Sequence, residues 1–226
     1  NELLLYFWRL QYKRNTKLIM KRSLVAFSGG VESTALLQYC VENNYNVTAI
    51  HSIWPQPLHD GNGVQAKKEF VNLSRICKIL KVRYVKHIHP SYGANPKEAY
   101  FHSTRHWVLA MCAAILRFPD TEYVYWGGNS GINEFNDEGC DHNVLQKFYD
   151  VQTTFDCFNR LPRTKIGTFT GKQISPLLIS WTKKQCWDYI RDDIKPLVVS
   201  CSRPKSYDPY EPCNDCRKCE ELEKIK

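Results

Sequence analysis

The chain has 226 residues, 43% of them hydrophobic, a formal charge of +8 and ten cysteines. That length and apolar share suffice for one sizeable core, so a second domain is not required, and Leu3-Leu4-Leu5-Tyr6-Phe7-Trp8 is too short an apolar run to span a bilayer. Its positive charges follow the apolar run, whereas a secretory signal places them first, which argues for a cytoplasmic protein with no membrane partner.

The charge is concentrated at the start, where Arg9, Lys13, Arg14, Lys17, Lys21 and Arg22 face only Glu2. Residues 1–20 are therefore read as a basic N-terminal extension, with Met20 as an alternative start, and residues 21–226 as a single α/β domain. Such a segment steers a polyanion such as nucleic acid, and it equally well forms a plain solvated surface.

In chain order, Leu24-Val25-Ala26-Phe27 reads as a buried strand. The stretch from Val31 to Val41, with apolar Val31, Ala35, Leu36, Tyr39 and Cys40, has a helical period. Between them lies Ser28-Gly29-Gly30-Val31-Glu32-Ser33. Adjacent glycines open backbone conformations closed to other residues and bring bare N–H groups near an anion, and the helix start adds its dipole. The same turn also arises for packing alone. A Walker loop is excluded because no Gly-Lys-Ser/Thr follows at the required spacing.

Asn43-Asn44 stops the helix, and Val47 to Trp54 forms a second strand, followed by a loop to Gly63. Ala66, Phe70, Leu73, Cys77 and Leu80 mark a helix, Val82 to Ile88 a third strand, and Pro90 to Pro96 a loop. A helix over Ser103–Leu116 leads to the strand Glu122–Trp126, after which come Gly127 and Gly128. This alternation predicts right-handed βαβ units and a doubly wound, mostly parallel sheet with ligands at the carboxyl ends of its strands. A helix from about Asn143 to Phe158 and an irregular basic segment follow, and Thr182-Lys183-Lys184-Gln185 opens a further helix with a capping-box pattern. Cys40, Cys77, Cys112 and Cys186 fall on apolar helix faces and read as small core residues.

Cys201, Cys213, Cys216 and Cys219 are four soft ligands within a span able to wrap one tetrahedral ion. Zinc is the expected occupant of a segment spanning 200–220. A ferredoxin-type run would place a cysteine at position 223, where this chain has Glu223, which disfavours an iron–sulfur cluster. Because Glu220, Glu221, Lys224 and Lys226 leave the terminus little apolar surface to bury, a structural metal is expected to hold it in place.

The stretch from Lys21 to Thr34 resembles the pyrophosphate loop of the N-type ATP pyrophosphatases, Ser-Gly-Gly-x-Asp-Ser, with Glu32 in the place of the aspartate. Joined to the cysteine cluster, it resembles the 7-cyano-7-deazaguanine synthase family. Ser200-Cys201-Ser202-Arg203 and Cys213-Asn214-Asp215-Cys216-Arg217-Lys218-Cys219 match that family's terminal segment. Ile174-Ser175-Pro176-Leu177 followed by Thr182-Lys183-Lys184 matches its Thr-Pro-Leu stretch, and Phe101 and Arg105 match its Phe-x-Pro-Gly-Arg-Asn. Its Tyr-Gly-Gln and Gly-Tyr-Pro-Asp-Cys-Arg segments have no counterpart beyond Asp141.

The resemblance implies an adenine nucleotide alpha hydrolase-like fold. It also implies a magnesium-ATP site at Ser28, Gly29, Gly30, Val31, Glu32, Ser33, Thr34 and Gly128. Ser28, Ser33 and Arg105 would stabilise the departing pyrophosphate, while Phe101, Arg105 and Asp141 would frame a small deazapurine. The implied reaction adenylates 7-carboxy-7-deazaguanine, admits ammonia to give an amide, and dehydrates the amide to a nitrile with a second ATP, in a queuosine or DNA-modification pathway. Read without the family, Arg105 is also a surface arginine at a helix start and Asp141 a helix N-cap. The isolated His102, His106 and His142 read as surface or capping groups. A transfer-RNA-modifying adenylating enzyme and a weakened nucleotide- or nucleic-acid-binding zinc protein are the alternatives. The oligomeric state stays open, a homodimer included.

Overall fold

The computed structural model describes residues 22–53, 71–88, 117–118, 120–127, 153, 173–175, 177–178, 180–201, 204–207 and 209–226. Among these, β1 (Ser23–Ala26), α1 (Val31–Glu42), β2 (Val47–Ile53), α2 (Val71–Ile79), β3 (Arg83–Ile88), β4 (Tyr123–Tyr125) and β5 (Gln173–Ser175) precede α3 (Lys183–Tyr189). A 3-10 turn (Lys195–Leu197), β6 (Ser206–Tyr207), β7 (Tyr210–Glu211) and α4 (Arg217–Ile225) complete the order. The expected helix over 103–116, that over 143–158 apart from residue 153, the loop after Trp54, the loop after Trp126 beyond Gly127, and residues 1–20 lie outside the described residues.

Five strands form one sheet in the order β3-β2-β1-β4-β5, and every pairing is parallel. The order places β1 at the centre and reverses direction between β1 and β4. In such a sheet the crevice at the reversal opens at the carboxyl ends of the strands. Both faces of the sheet are buried, which explains why its strands read as apolar runs rather than alternations. Val25, Ala49 and Tyr125 join the main core on one face, while Leu24, Ile50 and Val124 are buried on the other. The expected α/β architecture is therefore present.

α1 and α2 both end in a Schellman motif built on a residue other than glycine. At the end of α1, Asn44 takes a φ of 59°, and the N–H of Tyr45 reaches the carbonyl of Cys40 at 2.9 Å. At the end of α2, Lys81 takes a φ of 55°, and the N–H of Val82 reaches Cys77 at 2.9 Å. Cys40, Cys77 and Cys186 are buried in the core, as the helical period predicts; Cys112 lies outside the described residues.

α3 packs on α1 through the buried side chain of Gln38. Its amide donates to the Tyr189 carbonyl at 3.1 Å and accepts the Arg191 N–H at 3.0 Å, so the end of α3 is tied to the middle of α1. Trp181 sits edge-on to both Tyr39 and Tyr189 beside this contact. At the other end of α3 the capping box is formed, with Thr182 Oγ1 accepting from the Gln185 N–H and the Gln185 side chain accepting from the Thr182 N–H. α3 is thereby set beside the first turn of α1.

Candidate functional site

The loop Ser28–Gly30 leaves the carboxyl end of β1 and enters α1 at the crevice where the strand order reverses. Gly29 has a φ of +77°, in the left-handed region, and a Cβ placed there would lie 2.5 Å from Leu73 Cδ1. Glycine is required at this position by both conformation and space. Gly30 is the N-cap, extended at φ −73°, and no side chain caps the helix. Thr34 is the first residue whose N–H reaches a helical carbonyl, that of Gly30 at 2.9 Å, so the N–H groups of Val31, Glu32 and Ser33 have no partner within the helix.

Ser33 closes the loop. Its hydroxyl donates to the Gly30 carbonyl at 3.2 Å and accepts the Ser28 N–H at 3.3 Å, with the Ser28 hydroxyl at 3.1 Å. The Gly30 N–H approaches Ser28 Oγ at 3.4 Å. The Ser28 and Ser33 hydroxyls share one hydrogen bond, in which either can be the donor. The two serines expected as phosphate donors thus shape the backbone turn as well. Thr34 is fully buried, and its Oγ1 has no hydrogen-bond partner.

Gly127, just past β4, stands against this turn: a Cβ there would lie 3.0 Å from Ser33 N and Cα. Only glycine lets the end of β4 approach the start of α1 so closely, a role for Gly127 that the sequence alone did not single out. The paired glycines after an aromatic strand were the available signal. His51, at the end of β2, was likewise passed over. Its Nδ1 donates to the Phe27 carbonyl at 3.0 Å, bracing the last residue of β1 before the loop, and burial first of all holds its pKa below the ordinary histidine value.

Glu32 sits in the first turn of α1, with its Oε1 3.6 Å from Lys183 Nζ. Lys183 also meets Glu221 Oε2 at 2.5 Å. Burial alone would lower the lysine pKa, but the carboxylates of Glu32 and Glu221 outweigh it and hold the group above its usual range. An acidic side chain in this turn repels any anion that approaches the helix start, and Lys183 offsets that repulsion. As a donor for magnesium the Glu32 carboxylate is already engaged by an ammonium. Phe101, Arg105, Gly128 and Asp141 lie outside the described residues.

The four terminal cysteines converge. Their Sγ atoms all lie within 4.8 Å of one another, with Cys201–Cys213 at 3.4 Å, Cys201–Cys216 at 3.8 Å, Cys213–Cys219 at 4.0 Å and Cys216–Cys219 at 3.5 Å. Four thiolates around one zinc, at the usual metal–sulfur distance, stand about 3.8 Å apart. A four-iron cluster needs a wider cage, since its irons form a tetrahedron of their own inside the thiolates. The donor set therefore fits a single tetrahedral ion. The Cys213 N–H donates to Cys201 Sγ at 3.3 Å, Asn214 takes a φ of 62° at the knuckle, and Cys216 is the N-cap of α4. This turn accounts for a helix where little order was expected beyond the metal. Cys219 and Ile225 are buried, most of the charged residues of α4 are exposed, and Glu221 is half-buried against Lys183.

No protein-family model and no curated protein matches the chain. Among solved structures, it is similar to the U34-tRNA thiolase NcsA from Methanococcus maripaludis with its [4Fe-4S] cluster, at 12% identity and TM-score 0.47, over 90% of this chain and 63% of that one. A predicted subunit of tRNA methyltransferase from Methanocaldococcus jannaschii is similar at 13% identity and TM-score 0.41, over 73% and 71% of the two chains. NMN synthetase from Francisella tularensis follows at 13% identity and TM-score 0.35, over 91% and 82%. The chain thus spans under two thirds of the thiolase.

Proposed function

We propose that this protein is an ATP-dependent, AMP-forming enzyme of the N-type pyrophosphatase kind, and that it activates a carboxylate on a 7-deazaguanine for amidation or nitrile formation. One observation carries the nucleotide part: a left-handed, sterically obligatory Gly29 and a bare helix start lie at the reversal point of a parallel sheet. The amide groups left without a helical partner there match a departing diphosphate, whose charge is concentrated as the bond to the α-phosphorus breaks.

In this reading magnesium-ATP enters as substrate. The backbone of Gly30, Val31 and Glu32 binds its β- and γ-phosphates, Ser28 and Ser33 rotate to donate, and Arg105 completes the charge. The substrate carboxylate attacks the α-phosphorus, pyrophosphate leaves, and ammonia displaces AMP from the acyl adenylate. Phe101 and Asp141 are the proposed substrate contacts, and the deazaguanine assignment rests on the resemblance alone. Cys201, Cys213, Cys216 and Cys219 would hold zinc, whose contribution is to cross-link the terminus.

The engagement of Glu32 by Lys183 favours a second reading, nucleotide binding without turnover. Incubation with ATP, ammonia and 7-carboxy-7-deazaguanine, followed by pyrophosphate assay and product mass spectrometry, separates the two. Pyrophosphate with a new amide or nitrile is expected. ATP bound with no pyrophosphate released would favour the second reading.

A further inference from the structure

We infer that Lys183 is a positioning residue that couples metal occupancy of the four-cysteine centre to nucleotide binding at the phosphate loop; the inference rests on the nucleotide reading above. Two connections join the sites. Glu221 lies two residues past Cys219 on α4, is held by Arg217 Nε at 3.0 Å, and grips Lys183 at 2.5 Å, while Lys183 in turn faces Glu32 in the first turn of α1. On the other side, Cys201 lies two residues past Val199, whose N–H donates to the Gly29 carbonyl at 2.7 Å. Val199 also flanks the loop directly, its Cβ 3.5 Å from the position a Gly29 Cβ would take.

Both ends of the loop are therefore braced by segments that the cysteine centre gathers. When the centre is emptied, α4 loses the turn that starts it at Cys216. Glu221 then no longer anchors Lys183 beside Glu32, so the repulsion that Glu32 exerts on phosphate is less fully offset, and the strap over Gly29 loosens. Metal binding favours the loop shape that receives phosphate. By linkage, nucleotide must favour metal retention by the same factor.

The test uses the full zinc-loaded chain. Release of zinc to a chromogenic chelator is followed with and without saturating non-hydrolysable ATP analogue, and analogue affinity is measured on loaded and stripped protein. At equilibrium with the chelator, nucleotide is expected to raise zinc affinity about tenfold, with a matching loss of analogue affinity on stripping. Lys183→Met should retain one zinc per chain and reduce both effects to about twofold or less, while Lys183→Arg restores them. Glu221→Gln probes the same link from the other side should Lys183→Met not fold. Full coupling in these neutral variants, or none in the wild type, would overturn the proposal while leaving nucleotide binding intact. Failure of the loaded wild type to bind the analogue would remove the nucleotide reading and this one together.

Discussion

The two loop glycines perform different tasks, and substitution separates them. Alanine at position 29 places a methyl 2.5 Å from the buried Leu73 on a φ of +77°, so Gly29→Ala should lower stability by about 2 kcal/mol or more in denaturant titration. At Gly30 the nearest atom to a Cβ is Ser28 Oγ at 3.4 Å and φ is ordinary, so Gly30→Ala should melt within a few degrees of the wild type. Its methyl nevertheless stands among the loop's polar atoms, and nucleotide affinity should fall at least about tenfold. Ser33→Ala removes the hydroxyl that joins Gly30 to Ser28, and it should abolish pyrophosphate formation at a stability cost of about 1 kcal/mol. The tight turn from strand into helix was legible from the doubled glycine. Which glycine the fold itself requires depends on Leu73, a contact made across the core from another helix.

Elements with a strong local signal were legible, and elements made by pairing were not. The capping box at Thr182 is written into four consecutive residues and forms as read. Thr182→Ala should therefore cost about 1 kcal/mol by thermal denaturation. β5 passed unread because three residues before a proline show no period of their own; its pairing with β4 supplies the reason it exists. α4 is masked by its charges, because its apolar stripe consists of Cys219, Leu222 and Ile225, and the first of these reads as a ligand. Its docking should be sensitive to acid. Burial disfavours the Glu221 carboxylate, but Lys183 outweighs that and depresses its pKa, so the bridge stabilises the fold above the ordinary value of 4.5 and is lost as pH falls through the lower folded value. Circular dichroism should show helix loss in that acidic window, and Glu221→Gln should flatten the pH dependence there.

At the scale of the molecule, the parallel sheet brings the loop, Gly127 and His51 to one edge, and the terminal knuckle folds back to the same end. The alternation of strand and helix made this edge legible. The return of the cysteine segment to it was not, because the connection through Val199 and Lys183 is tertiary. Removing the ion should undo the return: Cys216→Ser should lose bound metal and the ellipticity of α4. In the ion-free centre, Cys213 is pushed up to about 12, first by its hydrogen bond with Asp215, and burial raises Cys219. Binding must therefore displace protons, and metal affinity should fall as pH falls, as competition with a chelator would measure.

The turn after β1 is proposed to hold the diphosphate of an adenosine nucleotide. Calorimetric titration of wild type and Gly30→Ala with ATP, AMP and inorganic pyrophosphate tests it most directly. ATP should bind more tightly than AMP, pyrophosphate should displace it, and the variant should lose this binding while melting like the wild type. Equal affinity for ATP in both proteins, or ATP binding unaffected by pyrophosphate, would contradict the account.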